Sequence, residues 1–207
     1  MATQPQFLVL AAGPSGMAAV DVANGALVRA SWQGRTEEQL SPYDVVTAAV
    51  APFDQDAGVT FAPEAVSLSS PPRKVGSLHR RAADKLVRGV VHPPRQPLFG
   101  FPGATAPFWT LSGDRPSIAV IEPEIGPVVE RGKGGYRCSF RWRKLDHVLP
   151  LDDQSVGAAL LHPCMRKVGA LTLGRMLGWE PRRLIVALTP PVGGHCYKVV
   201  AGILPGR

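Results

Sequence analysis

The sequence predicts a mainly β protein made of two small tandem barrel-like units with one or two short helices. The 207 residues include 22 glycines and 21 prolines scattered along the chain, which is typical of many short strands and turns. Short apolar segments separated by turn residues occupy both halves of the chain. A segment with helical spacing and a proline-rich segment lie between these two groups. The hydrophobic content of 45% is ordinary for a globular core and argues against disorder.

The first half contains about five short strands by this criterion. An apolar run at 6–12 ends at a Gly-Pro-Ser-Gly turn, and the run at 17–32 carries Asn24-Gly25 between two apolar segments. Asn-Gly in this setting is the strongest short signal of a β-hairpin. Further β-rich runs follow at 43–53 and 59–69. This spacing predicts a small barrel or sandwich.

A different periodicity interrupts the strands at 74–90. Apolar residues recur there at helical spacing, and Arg81, Lys85 and Arg88 share another face. The segment therefore predicts an amphipathic helix. Its basic face could follow a phosphate backbone or rest on an acidic partner, although such a face is often only solvated.

Residues 92–116 form a connection rich in proline, glycine and aromatic residues. It is either an interdomain linker or an ordered loop held by its aromatic side chains, and the aromatic content favours order. The chain divides accordingly into a first barrel with the basic helix at 1–91, this connection, and a second barrel at 117–207.

The second half returns to strands. At 136–143 the alternation is strict, because Tyr136, Cys138, Phe140 and Trp142 take one face and Arg137, Ser139, Arg141 and Arg143 take the other. The segment 155–177 has helix-compatible spacing that Pro163 splits. Two strands, at 182–191 and 195–204, then close the chain around a Val-Gly-Gly turn.

Several stretches resemble the bacterial dual OB-fold domain family. "GHCYKVVAGIL" resembles its terminal strand, "RRLIVALTPP" the approach to that strand, and "PSIAVIEPEIGPVVERGKGGYRCSFRWRKLDHVLPLDD" the start of its second barrel. The stretch "LSPYDVVTAAVAPFDQDAGVTFAPEAVSL" is similar to the segment that leads to a Pro-Glu-Asn signature. The resemblance implies two tandem OB-like barrels that bind nucleic acid or nucleotides, without an established reaction.

The chain departs from the family at three motifs. The first strand continues as "LVLAAGPSGMAAV" without the family's cysteine-bearing turn. Pro63-Glu64-Ala65 stands at the Pro-Glu-Asn position, and Leu151-Asp152-Asp153 stands at a Thr-Asp-Pro turn. A ligand that depends on those side chains is not implied here, whereas the double-barrel architecture is.

The formal net charge of +7 favours an anionic partner such as nucleic acid or nucleotide. Six positive charges and no acid lie between 131 and 144. OB-type barrels hold single strands with a positive groove and stacking aromatics. A membrane surface is disfavoured because the helix lacks tryptophan or phenylalanine anchors, and the broken apolar N-terminal run predicts neither a signal peptide nor a membrane span.

The cysteines and histidines indicate no cofactor or metal. Three cysteines without paired spacing suit a reducing cytoplasm. His195 and Cys196 are adjacent, so on a strand their side chains point to opposite faces and cannot act together as base and nucleophile. His162-Pro163-Cys164 has the same weakness. Alternation instead places Cys196 with Lys198 on one face, and His195 with Tyr197 and Val199 on the other.

We therefore expect a non-catalytic module that binds single-stranded nucleic acid. The expected contacts are Arg137, Arg141 and Arg143, supported by Arg81, Lys85 and Lys198, with stacking from the aromatic loop. The alternative is a nucleotide or small-ligand sensor that holds its ligand between the barrels with Asp44, Tyr197 and Lys198. An enzyme with a site assembled in space and a scaffold for protein partners stay open.

Overall fold

The computed structural model describes residues 4–13, 16–34, 36, 38–51, 62–94, 96–111, 115–161 and 165–206. Within these ranges the fold is mainly β, as predicted. The first half contains β1 Gln6–Ala12, β2 Gly16–Asp21, β3 Leu27–Trp32, β4 Asp44–Thr47, β5 Ala65–Leu68, β6 Arg73–Ser77 and helix α1 Arg80–Gly89. The predicted strand at 6–12 and the hairpin at 17–32 are confirmed. Residues 52–53 and 59–61 of the other two predicted strands lie outside the described residues.

The second half contains β8 Ile118–Ile121, β9 Ile125–Gly132, β10 Gly135–Trp142, β11 Leu145–Leu151, α2 Gln154–Ala159, β12 Lys167–Val168, α3 Ala170–Leu177, β13 Pro181–Leu188 and β14 His195–Pro205. Before it, the connection holds β7 Thr105–Pro107 and two 3-10 turns at Leu98–Gly100 and Phe108–Thr110. The predicted helical segment at 155–177 contains the two helices α2 and α3, but its residues Lys167–Val168 form strand β12 instead. Pro163, between the helices, lies outside the described residues.

The strands form two sheets with one shared pattern of pairing. The first sheet has the order β5-β3-β2-β1-β4-β6, and the second has the order β12-β9-β10-β11-β14-β13-β8 with β7 added beside β14. Each contains an antiparallel three-stranded meander whose third strand pairs in parallel with a later strand, β3 with β5 and β11 with β14. In the first sheet a bridge between Val50 and Leu68 also joins the continuation of β4 to β5. In the described part of the chain, continuous strand ladders close neither sheet into a barrel.

The two halves of the chain share a core, and this explains why the sequences of some strands are continuously apolar. On β1, Phe7 and Val9 pack inside the first sheet, whereas Leu8 and Leu10 pack between the sheets. The shared core also receives side chains from α1, β8, β13 and β14, namely Ala83, Val87, Ile118, Val120, Ile185 and Leu204. A strand buried on both faces needs no polar alternation.

The two sheets come into close contact where β1 meets β14. A Cβ atom built on Gly202 would lie 2.5 Å from the Cβ atom of Ala11 and 3.0 Å from Cδ1 of Ile185. Real Cβ atoms do not approach other atoms that closely, so this contact requires a residue without a side chain. Gly202 therefore sets the distance between the sheets at this point.

Helix α1 begins at Arg80, and the prediction of a helix from residue 74 is wrong. Residues 73–77 instead form β6, which pairs with β4 at Val45–Gly76 and Val46–Lys74. The His79 side chain accepts a hydrogen bond from the Arg81 amide at 3.4 Å and caps the helix. The predicted helix thus began too early, because residues 73–77 pair with the edge of β4 instead of continuing the helix.

The connection at 92–116 contributes to the second half. Leu98, Phe99, Ala106 and Leu111 are buried in the core of the second sheet. β7 pairs with the start of β14, for example Ala106 with Cys196. In the described residues of this connection, the structure is an ordered loop rather than an extended linker.

Candidate nucleic-acid interface

The exposed face of α1 carries four cations, Arg80, Arg81, Lys85 and Arg88, which we call the α1 basic surface. The helix turns its buried residues, Ala83, Asp84 and Val87, towards the shared core. Because Arg81, Lys85 and Arg88 recur at helical spacing, their side chains share one face. Arg73 on β6 is also exposed.

Three acids near this surface, Asp84, Asp44 and Glu38, already have partners within the protein. Asp84 is buried and binds Arg183 at 2.7 Å, as well as Arg88 at 2.8 Å. Asp44 is buried and binds Lys74 at 2.8 Å. Glu38 is exposed, but it accepts a hydrogen bond from the backbone amide of Lys74, at β6. Arg88 is therefore paired within its own helix, whereas Arg80, Arg81 and Lys85 add three positive charges that the single acid of α1 does not balance.

The arginines of β10 lie on the outer face, as the alternation predicted. Cys138, Phe140 and Trp142 are buried on the opposite face, which confirms their assignment to the core. Arg137 is exposed and Arg141 is half-buried. The strand therefore presents its basic side chains to solvent and its aromatic rings to the interior.

Acids from neighbouring strands meet these arginines. Arg137 lies directly opposite Glu130 of β9. Arg141 donates two hydrogen bonds to Asp146 of β11, at 2.7 and 3.0 Å. The hydrogen bonds to Asp146 raise the pKa of Arg141, and the same contact lowers the pKa of Asp146. The net positive charge around β10 is thus smaller than the sequence of 131–144 indicates, because strand pairing places Glu130 and Asp146, which lie just outside that segment, opposite Arg137 and Arg141.

Arg143 belongs to the turn that joins β10 to β11. Arg143 and Lys144 have φ values of 55° and 59°, the left-handed conformation that a two-residue hairpin turn requires. The Arg143 guanidinium lies 5.7 Å from the centre of the Trp142 ring. Arg143 therefore stands at the hairpin tip and not in a row with Arg137 and Arg141.

The structure adds two cations that the sequence reasoning missed. Strand β12 pairs with β9, so that Lys167 lies beside Glu130 and, across it, Arg137. Arg166 meets the same edge, where its carbonyl accepts the Arg131 amide at 2.9 Å. A two-residue strand leaves no periodicity in the sequence, so no signal marked this pairing.

Lys198 is buried and belongs neither to the α1 basic surface nor to the exposed arginines of β10. It is 1% exposed, and its Nζ donates to the carbonyl oxygens of Phe101 and Gly103. Burial lowers the pKa of Lys198 to about 8. Its role in the structure is to hold the connection against β14, and we leave it out of the proposed contacts.

The alternative ligand set does not come together in one place. Asp44 lies next to Tyr43, whose hydroxyl donates to the carbonyl of Pro205 at 3.0 Å, at one end of β14. Tyr197 and Lys198 lie near the other end of that strand. At the usual rise of a strand, these two ends are about 25 Å apart.

His195 and Cys196 lie on opposite faces of β14, as the alternation predicted. Cys196 is fully buried and burial raises the pKa of its thiol. The His195 ring instead contacts Trp109, with 5.5 Å between ring centres. A base and a nucleophile are therefore not paired here. His162-Pro163-Cys164 lies outside the described residues, and elsewhere in the described chain no group of three or more metal-ligating side chains comes together.

Exposed aromatic rings mark the tip of the β13–β14 hairpin. Trp109 is 68% exposed and Tyr197 is 44% exposed. Trp109 packs against Gly194 in the turn, since a Cβ atom there would lie 3.2 Å from its ring. Large aromatic side chains left in solvent on an ordered turn are suited to stacking against a flat partner.

No helix among the described residues is both long enough and apolar enough to cross a membrane. Comparisons of the chain with protein-family models, with curated proteins and with solved structures found no match.

Proposed function

We propose that this protein binds single-stranded nucleic acid without catalysis, and that the α1 basic surface makes the main contacts with the phosphates. The observation that carries the proposal is that α1 exposes Arg80, Arg81 and Lys85 in addition to Arg88, whereas the one acid of the helix, Asp84, faces inward and binds Arg183 and Arg88. Phosphate contacts by arginine and lysine supply most of the affinity in such complexes. Arg137, with Lys167 and Arg166 beside it, is a secondary contact.

The exposed rings support a single strand over a duplex. Bases of a single strand are free to stack on side chains such as Trp109 and Tyr197, whereas bases of a duplex are already stacked on each other. We expect Trp109→Ala to weaken binding of a single strand several-fold and to leave duplex binding unchanged. Quenching of tryptophan fluorescence by an oligonucleotide, compared between the wild type and Trp109→Ala, tests the same contact, because Trp32 and Trp142 are buried and Trp179 is partly buried.

The architecture is also part of the proposal. OB barrels are five-stranded and partly open, and they bind nucleic acid on a strand face. The meander followed by a parallel pairing occurs in both halves of the chain and supports two OB-like barrels. Membership of the dual OB-fold domain family stays a prediction.

The test is anisotropy of labelled single-stranded DNA, single-stranded RNA and duplex DNA over a range of salt concentrations. The variant Arg80→Ala/Arg81→Ala/Lys85→Ala should bind single strands more weakly. Its plot of log affinity against log salt should be shallower by about 2, since each phosphate contact contributes about 0.7 for a single strand.

A charge-matched control removes three exposed cations around the secondary contact, Lys133→Ala/Arg137→Ala/Lys144→Ala, and should lose less affinity than the α1 variant. Both variants lose the same net charge, so a local contact is distinguished from a general charge effect. Loss of affinity in the control alone would move the interface to β10. An unchanged affinity and salt slope in both folded variants would contradict the proposed interface altogether.

A further inference from the structure

A cleft of about 490 Å³ lies between the two sheets and borders the shared core, with Ala11, Ile118 and Ala187 among its lining residues. Such a volume is typical of a pocket for a small organic molecule. The cleft opens to solvent at a rim that includes the exposed residues Ala65 and Ser67.

The cleft exists because the facing strands carry large side chains in the shared core and small side chains at the cleft. β1 changes from Leu8 and Leu10 in the shared core to Ala11 and Ala12 at the cleft, and β2 changes from Val20 to Ala18. Further small residues line it from both sheets, namely Gly13, Gly16, Ala30, Ala65, Ala187 and Ala201. Most of the lining side chains are consequently small, which leaves room for a flat ring.

Each wall combines apolar and polar side chains. On the first sheet, Arg29 and Ser31 of β3 lie beside Ala65 and Ser67 of β5 in parallel register, so these side chains share the face that lines the cleft. The second half contributes the apolar residues Ile118, Ala187, Val199 and Ala201 and the polar residues Asp152 and Gln154, which follow β11. A ligand with an apolar face and polar groups at its edges matches this lining.

Opposite charges stand at two positions along the cleft. The Arg29 guanidinium donates to the carbonyl of Leu188 at 2.7 Å, which places it at β13. Asp152, whose amide donates to the carbonyl of Val200 at 2.8 Å, lies on the other side of β14. Two interstrand spacings separate these anchoring points, or about 10 Å. Gln154 lies beside the Asp152 position.

We infer that this cleft binds a nucleoside, with a carbonyl of the base facing Arg29, the flat ring between the alanine-lined walls, and the ribose hydroxyls facing Asp152. A guanidinium supplies donors and no acceptor, so it selects a carbonyl or ring nitrogen. A carboxylate supplies acceptors, which suits a diol. The same carboxylate repels a phosphate, and Glu64 adds a second negative charge near Arg29. The cleft therefore favours the neutral nucleoside over its phosphorylated form.

The inference is independent of the proposed nucleic-acid interface, and calorimetry with four nucleosides and their four monophosphates tests it. Adenosine, guanosine, cytidine and uridine are each titrated beside the corresponding 5′-monophosphate. At least one nucleoside should bind saturably and more tightly than its monophosphate. Arg29→Ala should lower that affinity about tenfold or more, since a hydrogen bond to a charged group is lost.

Asp152→Asn gives a readout that a purely structural role would not produce. It should weaken binding of the ribonucleoside and leave binding of the matching 2′,3′-dideoxynucleoside unchanged, because that ligand lacks the hydroxyls. Equal losses for both ligands would contradict the assigned orientation.

Two substitutions narrow the cleft from its solvent-exposed rim, Ala65→Phe and Ser67→Phe, and each should abolish nucleoside binding. Ala82→Phe, an exposed alanine on α1, is the matched control and should bind normally. The Arg80→Ala/Arg81→Ala/Lys85→Ala variant should also bind nucleosides normally. The inference is overturned if no nucleoside binds at millimolar concentration, if a monophosphate binds more tightly, or if folded narrowed variants bind unchanged.

Discussion

Arg183 of β13 and Asp84 of α1 form a buried ion pair with 2.7 Å between nitrogen and oxygen. Arg183 is 2% exposed and also donates to Glu122 at 2.8 Å. The pair connects the basic helix of the first half to the second sheet. Its hydrogen bonds keep the pKa of Asp84 low and the pKa of Arg183 high, against the opposing effect of burial.

Arg183→Met should therefore destabilise the protein strongly. Removing Arg183 takes one partner away from the buried Asp84 carboxylate while Arg88 stays bound to it, so the loss should lie towards the lower end of the about 3–5 kcal/mol that breaking a buried pair costs. The free energy of unfolding, measured in urea, checks this value. The double variant Asp84→Leu/Arg183→Met should lose less than the sum of the single variants, and strict additivity would show that the pair does not act as a unit.

Lys198 should make stability increase with pH above neutrality. Its folded-state pKa of about 8 lies below its ordinary value of 10.5, so between these values the unfolded chain binds a proton that the folded chain does not. Stability then rises with pH through this window, by about 1 kcal/mol between pH 8 and 9. In Lys198→Met the rise should disappear, and an equal rise in the variant would exclude Lys198 as its source. Urea midpoints at pH 7.5, 8 and 9 provide the comparison.

His147 should contribute to acid sensitivity. Its ring stacks on Phe140 with 5.2 Å between centres, and burial lowers its pKa, with the charge of Lys198 acting in the same direction. Hydrogen bonding to Trp142 and the charge of Asp146 oppose that shift. Because the folded-state pKa lies below 6.5, the stability present above pH 6.5 is lost as the pH falls through the folded-state value.

Replacing this imidazole should therefore reduce the acid-induced loss. His147→Gln should lose less unfolding free energy than the wild type between pH 7 and pH 5. His79→Asn is the matched control, since His79 is exposed and asparagine preserves the helix cap. A similar effect in both variants would mean that burial of His147 is not responsible.

Gly202→Val should force the sheets apart and cost about 1–3 kcal/mol or more, as overpacking of a closed interior does. Gly76→Val is a matched control, because Gly76 also lies in a strand but has no atom within 4 Å of a Cβ built on it. Thermal unfolding of both variants tests the difference. Equal stabilities would show that the contact at Ala11 adapts.

Local patterns predicted the features that depend on a single strand. The alternation in β10 and β14 was read correctly because neighbouring side chains on a strand must point to opposite faces. The pairing of Arg141 with Asp146 could not be predicted, because the turn between them has arginine and lysine at the positions where asparagine and glycine usually mark a hairpin. The ion pair that neutralises Arg141 depends on that register.

Features that depend on contacts between distant segments could not be predicted from local sequence patterns. Lys198 was placed correctly on the face of Cys196, but the carbonyls that enclose its ammonium come from residues 101 and 103. The same holds for Asp84, which reads as an exposed helix residue until Arg183 is placed beneath it. The cleft combines small residues from both halves, each of which reads as an ordinary strand alanine or glycine.

The contact between Ala11 and Gly202 also has a consequence for the speed of folding. These residues come from opposite ends of the described chain, so the sheets can close only after a very long loop has formed. Chains dominated by such distant pairings fold slowly and expose their strands in the meantime. We expect refolding to be slow and sensitive to protein concentration.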